Sequence, residues 1–163
     1  MAYRNKTYIC FDGDEDINYY RLMTAWKAND KIDFNFHDAH DLRNSRDSSC
    51  EATIKRSLRE RLKNSKLFLV LVGEKTKNLY KFVRWEMDVA LELEIPIIVV
   101  NLNGKREIDN TLCPPILRNE LAIHVYFNKT IIQHAIDNWI EQSKQYTTGP
   151  YRYTATTYKQ LGL

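Results

Sequence analysis

Two stretches of this chain are almost continuously apolar, Leu67-Phe68-Leu69-Val70-Leu71-Val72 and Ile95-Pro96-Ile97-Ile98-Val99-Val100. Short runs of this kind predict strands covered on both faces. Lys66 and Gly73 bound the first, and Pro96 stands at the start of the second, where a missing N–H is tolerated. A third run, Thr7-Tyr8-Ile9-Cys10-Phe11, stops at Asp12-Gly13-Asp14-Glu15-Asp16, a turn signal and an acidic cluster together. Residues 32–38 alternate apolar and polar positions, which predicts a half-exposed strand at or near a sheet edge, and residues 122–127 form a fifth apolar run.

Between these strands the period changes to that of a helix. Tyr19, Leu22, Met23 and Trp26 recur at helical spacing in residues 17–27. Ser48 with Glu51 has the form of a capping box, opening a helix with Ile54, Leu58 and Leu62 on one stripe. Ile132, Ala135, Ile136 and Trp139 or Ile140 mark the inward face of a last helix over residues 131–140. Residues 39–49 read as a long polar loop, and residues 101–119 as a loop with at most a short helical turn. Strand and helix alternate five times, so the expected fold is α/β and flavodoxin-like. It is a five-stranded parallel sheet in the order 2-1-3-4-5, helices on both faces, crossing right-handedly. Such a sheet binds ligands in the crevice beyond the carboxyl ends of strands one and three.

The helix after the third strand departs from a simple amphipathic pattern. At about 100° per residue, Phe82, Val83, Met87, Val89, Ala90, Leu91 and Leu93 share a broad face, with Arg84, Asp88 and Glu92 opposite. Glu86 sits inside the apolar face, between Phe82 at i−4 and Ala90 at i+4. Desolvating a carboxylate disfavours its charged form unless it is paired. On the helix by itself the ordinary reading is a structural acid bonded near the helix start, where a negative charge also suits the helix dipole. The topology adds something, because the first turns of this helix begin at the carboxyl edge of the sheet, near the loop of residues 12–16. Glu86 thereby faces the crevice where this architecture binds ligands.

Composition narrows the class. The chain has 163 residues, 44% hydrophobic and 28% charged, which suits one compact soluble domain over residues 1–146 followed by a tail, 147–163, carrying Tyr151, Tyr153 and Tyr158. The tail is expected to pack on the body or to contact a partner. A net charge of +3 does not argue for nucleic acid or a membrane surface as partner. The three cysteines, Cys10, Cys50 and Cys113, form no CxxC pair and point to a reducing, cytoplasmic setting rather than to disulfides or zinc. No 18-residue apolar segment or leader-like h-region is present, so neither secretion nor membrane insertion is expected.

Several chemistries fail on their motifs. Gly13 amid four acids is not a glycine-rich phosphate loop. Asp12, Asp14 and Asp16 invite comparison with a phospho-receiver domain, yet strand three ends Val72-Gly73-Glu74 with no acceptor aspartate, which leaves that a weaker alternative. His37 and His40 with Asp38 and Asp41 have no third ligand at diagnostic spacing and are read as solvated loop polarity, so no metal is expected. The basic face of the second helix also carries Glu51 and Glu60 and is read as solvated.

Three stretches carry a family resemblance: Tyr8-Ile9-Cys10-Phe11-Asp12 at strand one, Phe34-Asn35-Phe36-His37-Asp38 before the long polar loop, and Phe82-Val83-Arg84-Trp85-Glu86 on the third helix. In their order and setting they resemble the TIR-like domains of bacteria, in the branch found as the B component (ThsB) of the Thoeris antiphage defence system. The resemblance spans roughly residues 6–145. TIR-type enzymes hydrolyse or cyclise NAD with a glutamate on the third helix four residues after an aromatic, usually tryptophan. Here Phe82 precedes Glu86 by four, so the resemblance implies a catalytic Glu86, with Phe11, Asp12, Gly13, Asp38 and Phe82 at the substrate pocket.

The resemblance also implies an NAD glycohydrolase or ADP-ribosyl cyclase that takes NAD as substrate and needs no cofactor. Its cyclic ADP-ribose-type product would act on a partner effector protein, and the enzyme would answer a phage-derived trigger, with self-association as a further expectation. The competing expectation is a non-catalytic TIR-like interaction module in which Glu86 is a capped structural acid.

Overall fold

The computed structural model describes residues 6–29, 36–37 and 51–163. Its strands are β1 (Thr7–Cys10), β2 (Phe36–His37), β3 (Leu67–Val72), β4 (Ile97–Asn101), β5 (Ala122–Tyr126) and β6 (Tyr151–Arg152). The helices are α1 (Ile17–Asn29), α2 (Glu51–Lys63), α3 (Val83–Glu92), α4 (Lys129–Ser143) and α5 (Ala155–Gln160). All strand pairs are parallel, and the sheet runs β2-β1-β3-β4-β5-β6. The five expected strands thus take the expected order, β2 lies at an edge, and the expectation of five strands is corrected by a sixth from the tail.

Alternation along the strands divides the core into two layers. Tyr8, Cys10, Phe68, Val70 and Val99 point to the side covered by α2 and α3, where Ile54, Leu58, Leu62, Val83, Met87 and Ala90 pack on them. Ile9, Phe11, Leu69, Leu71, Ile98 and Val125 point to the other side, against Met23 of α1, Ile132, Ala135, Ile136 and Trp139 of α4, and Tyr158 of α5. Burying apolar surface on both faces is worth roughly 25 cal/mol per Å² and explains why β3 and β4 tolerate no polar residue before their ends.

The tail is part of the second layer. Gly149 crosses the start of β5 so closely that a Cβ would stand 2.7 Å from the Glu120 carbonyl oxygen and 3.0 Å from Leu121 Cα, a space that only glycine fits. Beyond it Tyr151 stacks on Tyr146 with centroids 4.0 Å apart, and Tyr153 meets His134 edge-on at 5.0 Å. The Tyr153 hydroxyl donates to Gln142 Oε1 at 2.7 Å. A two-residue strand carries no readable period, so nothing in residues 147–163 announced β6.

Helix boundaries follow local chemistry. Asn128 caps α4 by accepting from the Thr130 and Ile131 N–H groups at 2.9 and 3.2 Å, which starts the helix two residues earlier than its apolar stripe suggested. At the end of α3 the Glu94 and Ile95 N–H groups donate to Leu91 and Ala90, a Schellman closure that places Glu94 at φ 56°. That closure consumes Ile95, so β4 begins at Ile97 rather than at the start of the apolar run. In α1, Met23 is buried but Leu22 is 48% exposed, and Tyr20 takes the inward place by stacking on Phe11 at 4.7 Å. The strand expected over 32–38 is described only at Phe36–His37, and Ser48 of the expected capping box lies outside the described residues, although α2 does begin at Glu51.

Candidate active site

Glu86 is 0% exposed, in the first turn of α3. Two sets of contacts fix the segments around that turn. Thr76, itself buried, accepts the Gly73 N–H on its Oγ1 at 2.9 Å and donates to the Leu71 carbonyl at 3.4 Å, which closes the loop after β3 and turns the chain toward α3. On the other flank Cys10, the last residue of β1, lies with its Sγ 3.9 Å from the Val83 carbonyl oxygen. The first turn of α3 is therefore packed beside the carboxyl ends of β1 and β3, the position expected from topology.

Phe82 immediately precedes the helix and is 7% exposed. Two ammonium groups flank its ring, Lys81 Nζ at 5.5 Å and Lys55 Nζ at 5.9 Å from the centroid, within cation–π range. Lys55 also lies 5.4 Å from the Trp85 ring and pairs with Glu51 at 2.8 Å. Lys81 lies 3.9 Å from the same Glu51 carboxylate, so the aromatic before the glutamate sits beside two lysines bridged by one acid, an arrangement that no motif in the sequence revealed.

The other expected site residues are distributed differently. Asp12 is 3% exposed and its Oδ1 accepts the Asp14 and Glu15 N–H groups at 3.0 and 3.3 Å, which makes it the anchor of the turn that contains Gly13. Phe11 belongs to the opposite layer from Phe82 and Glu86, with its ring on Tyr20, because strand alternation sends Cys10 and Phe11 to opposite faces. Asp38 lies outside the described residues.

Asp16 is the acid that sequence reading used only for the receiver comparison. It is 7% exposed, its Oδ2 has no hydrogen-bond partner among the described residues, and a Cβ on Gly73 would stand 2.5 Å from that oxygen. Burial, with the charges of Asp12, Glu15 and Glu74 adding to it, pushes its carboxyl up to about 6. Asp16 borders a cavity of about 310 Å³ with Glu15, Gly73, Glu74 and Lys75, and Lys75 closes one wall by pairing with Glu15 at 2.8 Å. The position where a receiver would carry its acceptor is Gly73, and Asp16 occupies the space any side chain there would need. Among the described residues no group of three or more His, Cys, Asp or Glu is placed to hold a metal ion.

Compared with models of protein families, residues 8–107 match the TIR-like domain of the Thoeris protein ThsB. The chain belongs to that family. The match takes in β1 through β4, and with them Glu86, Phe82, Asp12 and the loop after β3. Membership places the chain with the Thoeris antiphage defence system, and among the described residues no helix is long and apolar enough to cross a membrane.

Proposed function

We propose that this TIR-like domain is an NAD-consuming enzyme with Glu86 as its catalytic carboxylate. The observation that carries the reading is a fully buried glutamate in the first turn of α3, beside the ends of β1 and β3, four residues after an aromatic flanked by two lysines. The nicotinamide of NAD leaves with the electron pair of the C–N bond and becomes neutral, so no acid has to protonate it. Positive charge then develops on the ribose, and a carboxylate held in a water-poor setting opposes it at little reorganisation cost. Water adding to that ribose, with loss of a proton, gives ADP-ribose. A nucleophile on the same molecule, an adenine nitrogen or a ribose hydroxyl, gives a cyclic ADP-ribose-type product instead. Family membership favours the cyclic product as a diffusible signal to a partner effector.

Complete burial of Glu86 also fits the second reading, an interaction module with a structural acid, and one assay separates the two. The full chain is incubated with NAD, with and without lysate of phage-infected cells as trigger, and nicotinamide and its co-product are resolved by chromatography. Release by the native protein that Glu86→Gln lowers by about 10²-fold or more supports catalysis. Release that survives Glu86→Gln overturns the site, and absence of release under both conditions overturns the enzyme.

A further inference from the structure

The carboxyl ends of β4, β5 and β6 form a second concave surface, remote in the sheet order from β1 and with a chemistry opposite to that of Asp16 and Glu86. It begins with the loop after β4. Buried Asn101 donates from Nδ2 to the carbonyls of Lys105 and Glu107 at 3.0 and 2.7 Å, and Gly104 at φ 86° makes the preceding turn. Asp109 secures the far end by accepting the Thr111 and Leu112 N–H groups at 2.8 and 3.0 Å. The backbone of Lys105-Arg106-Glu107 is thereby fixed and its side chains are displayed. Across from it stand Arg152 of β6 and Tyr158 of α5, and between them lies a cavity of about 520 Å³.

The charges in this cavity are not equivalent. Arg152 pairs with Glu107, and Lys105 reaches Asp109 at 3.3 Å. Arg106 forms no ion pair among the described residues, and its guanidinium lies 4.2 Å from the Tyr158 ring centroid and 5.1 Å from that of Tyr126. Stacking of this kind rests the planar fork of donors on the rings without tying it to a carboxylate, leaving its edge open to an anion. Tyr158 beneath it is 1% exposed, and its hydroxyl has no hydrogen-bond partner among the described residues. Folded proteins seldom leave a buried hydroxyl unmatched without a use for it.

We propose that this cavity is a second binding site, for a nucleoside diphosphate. The pyrophosphate would take the edge of the Arg106 fork and the Tyr158 hydroxyl, uncovered as the guanidinium turns toward the anion. The apolar surfaces of Tyr153, Ala155 and the Tyr158 ring would receive the nucleoside. The volume is that of a site for a small organic ligand rather than for a bare ion. Arg106 lies at the end of the family match, whereas Arg152, Tyr153, Ala155 and Tyr158 lie beyond residue 107, so the tail completes the site, which is independent of the reading of Glu86.

Isothermal titration of the full chain with ADP, pyrophosphate and adenosine tests this, using the native protein, Arg106→Ala and Tyr158→Phe, each first shown to be folded by thermal melting. The expected result is one-to-one ADP binding, weakened about tenfold or more by Arg106→Ala and a few-fold by Tyr158→Phe, with pyrophosphate and adenosine each much weaker than ADP. Tyr158→Phe keeps every ring contact and stands as the deciding variant if Arg106→Ala fails to fold. ADP binding indifferent to both substitutions belongs to another site and overturns the proposal. No binding at millimolar ADP, or pyrophosphate binding as tightly as ADP, overturns it as well.

Discussion

The carboxyl edge of the sheet has two unlike halves. Around β1 and β3 it buries carboxylates: Asp12 tied into its own turn, Asp16 pressed against Gly73, and Glu86 in the first turn of α3. Around β4, β5 and β6 it displays Arg106 over two tyrosine rings and ties the buried carboxylate of Asp109 into a turn, and the sheet beneath it buries an imidazole. His124 of β5 is 0% exposed, neither ring nitrogen has a hydrogen-bond partner among the described residues, and desolvation pushes it down to about 4. Burial disfavours the charged form of both Asp16 and His124, and the sign of the charge makes their responses to pH opposite.

The largest expected effect tests whether the acidic half does chemistry at all. Glu86→Gln should lower nicotinamide release by about 10²-fold or more, followed by chromatography, while Arg106→Ala in the other half leaves it within a few-fold. Equal loss in both variants would mean that the two halves form one site.

The next effect is a pair of pH slopes. His124 falls from 6.5 to about 4 on folding, so the unfolded chain binds more protons between those values and stability is lost as pH drops through that window, on the order of 3 kcal/mol in full. Asp16 rises from 3.8 to about 6, so the native chain binds more protons there and stability is lost as pH rises through that window, on the order of 2 kcal/mol after allowing for partial exposure. In the native protein the two largely offset between pH 4 and 6. Urea unfolding across this range should therefore uncover the His124 slope in Asp16→Asn and the Asp16 slope in His124→Leu. Parallel slopes in the two variants would refute the contrast.

Asp16→Asn should also raise stability at pH 7, on the order of 2 kcal/mol, because it removes a desolvated charge beside three other acids. The measurement is the urea midpoint at pH 7, and an unchanged or lower midpoint would mean that the buried carboxylate is not a source of strain.

The smallest effect serves as a control at the opposite edge. Glu94 holds the left-handed position that closes α3, where glycine has no Cβ penalty. Glu94→Gly should stabilise by about 0.5–1 kcal/mol by thermal melting and leave both pH slopes untouched.

Much of the fold was legible without coordinates. The run from Leu67 to Val72 is β3 to the residue, since six apolar side chains bounded by Lys66 and Gly73 have one compact solution. Glu86 stood out because a 3.6-residue period places it among Phe82, Val83 and Ala90, and those neighbours are indeed buried. Phe11 shows the limit. The family resemblance joined it to Asp12 and the substrate pocket, and alternation on β1 turns its ring to the layer of α1.

The amino-acid order by itself determined the strand–helix alternation, the parallel sheet that results from it, and the identity of the carboxylate on the wrong face of α3, because these depend on periodicities of two and 3.6 that local sequence writes down. Tertiary structure decided the sixth strand, the shielding of Asp16 by Gly73, the cations around Phe82 and the stacking of Arg106 on Tyr158. Each of these joins residues far apart in the chain, and desolvation and charge act through space rather than along it.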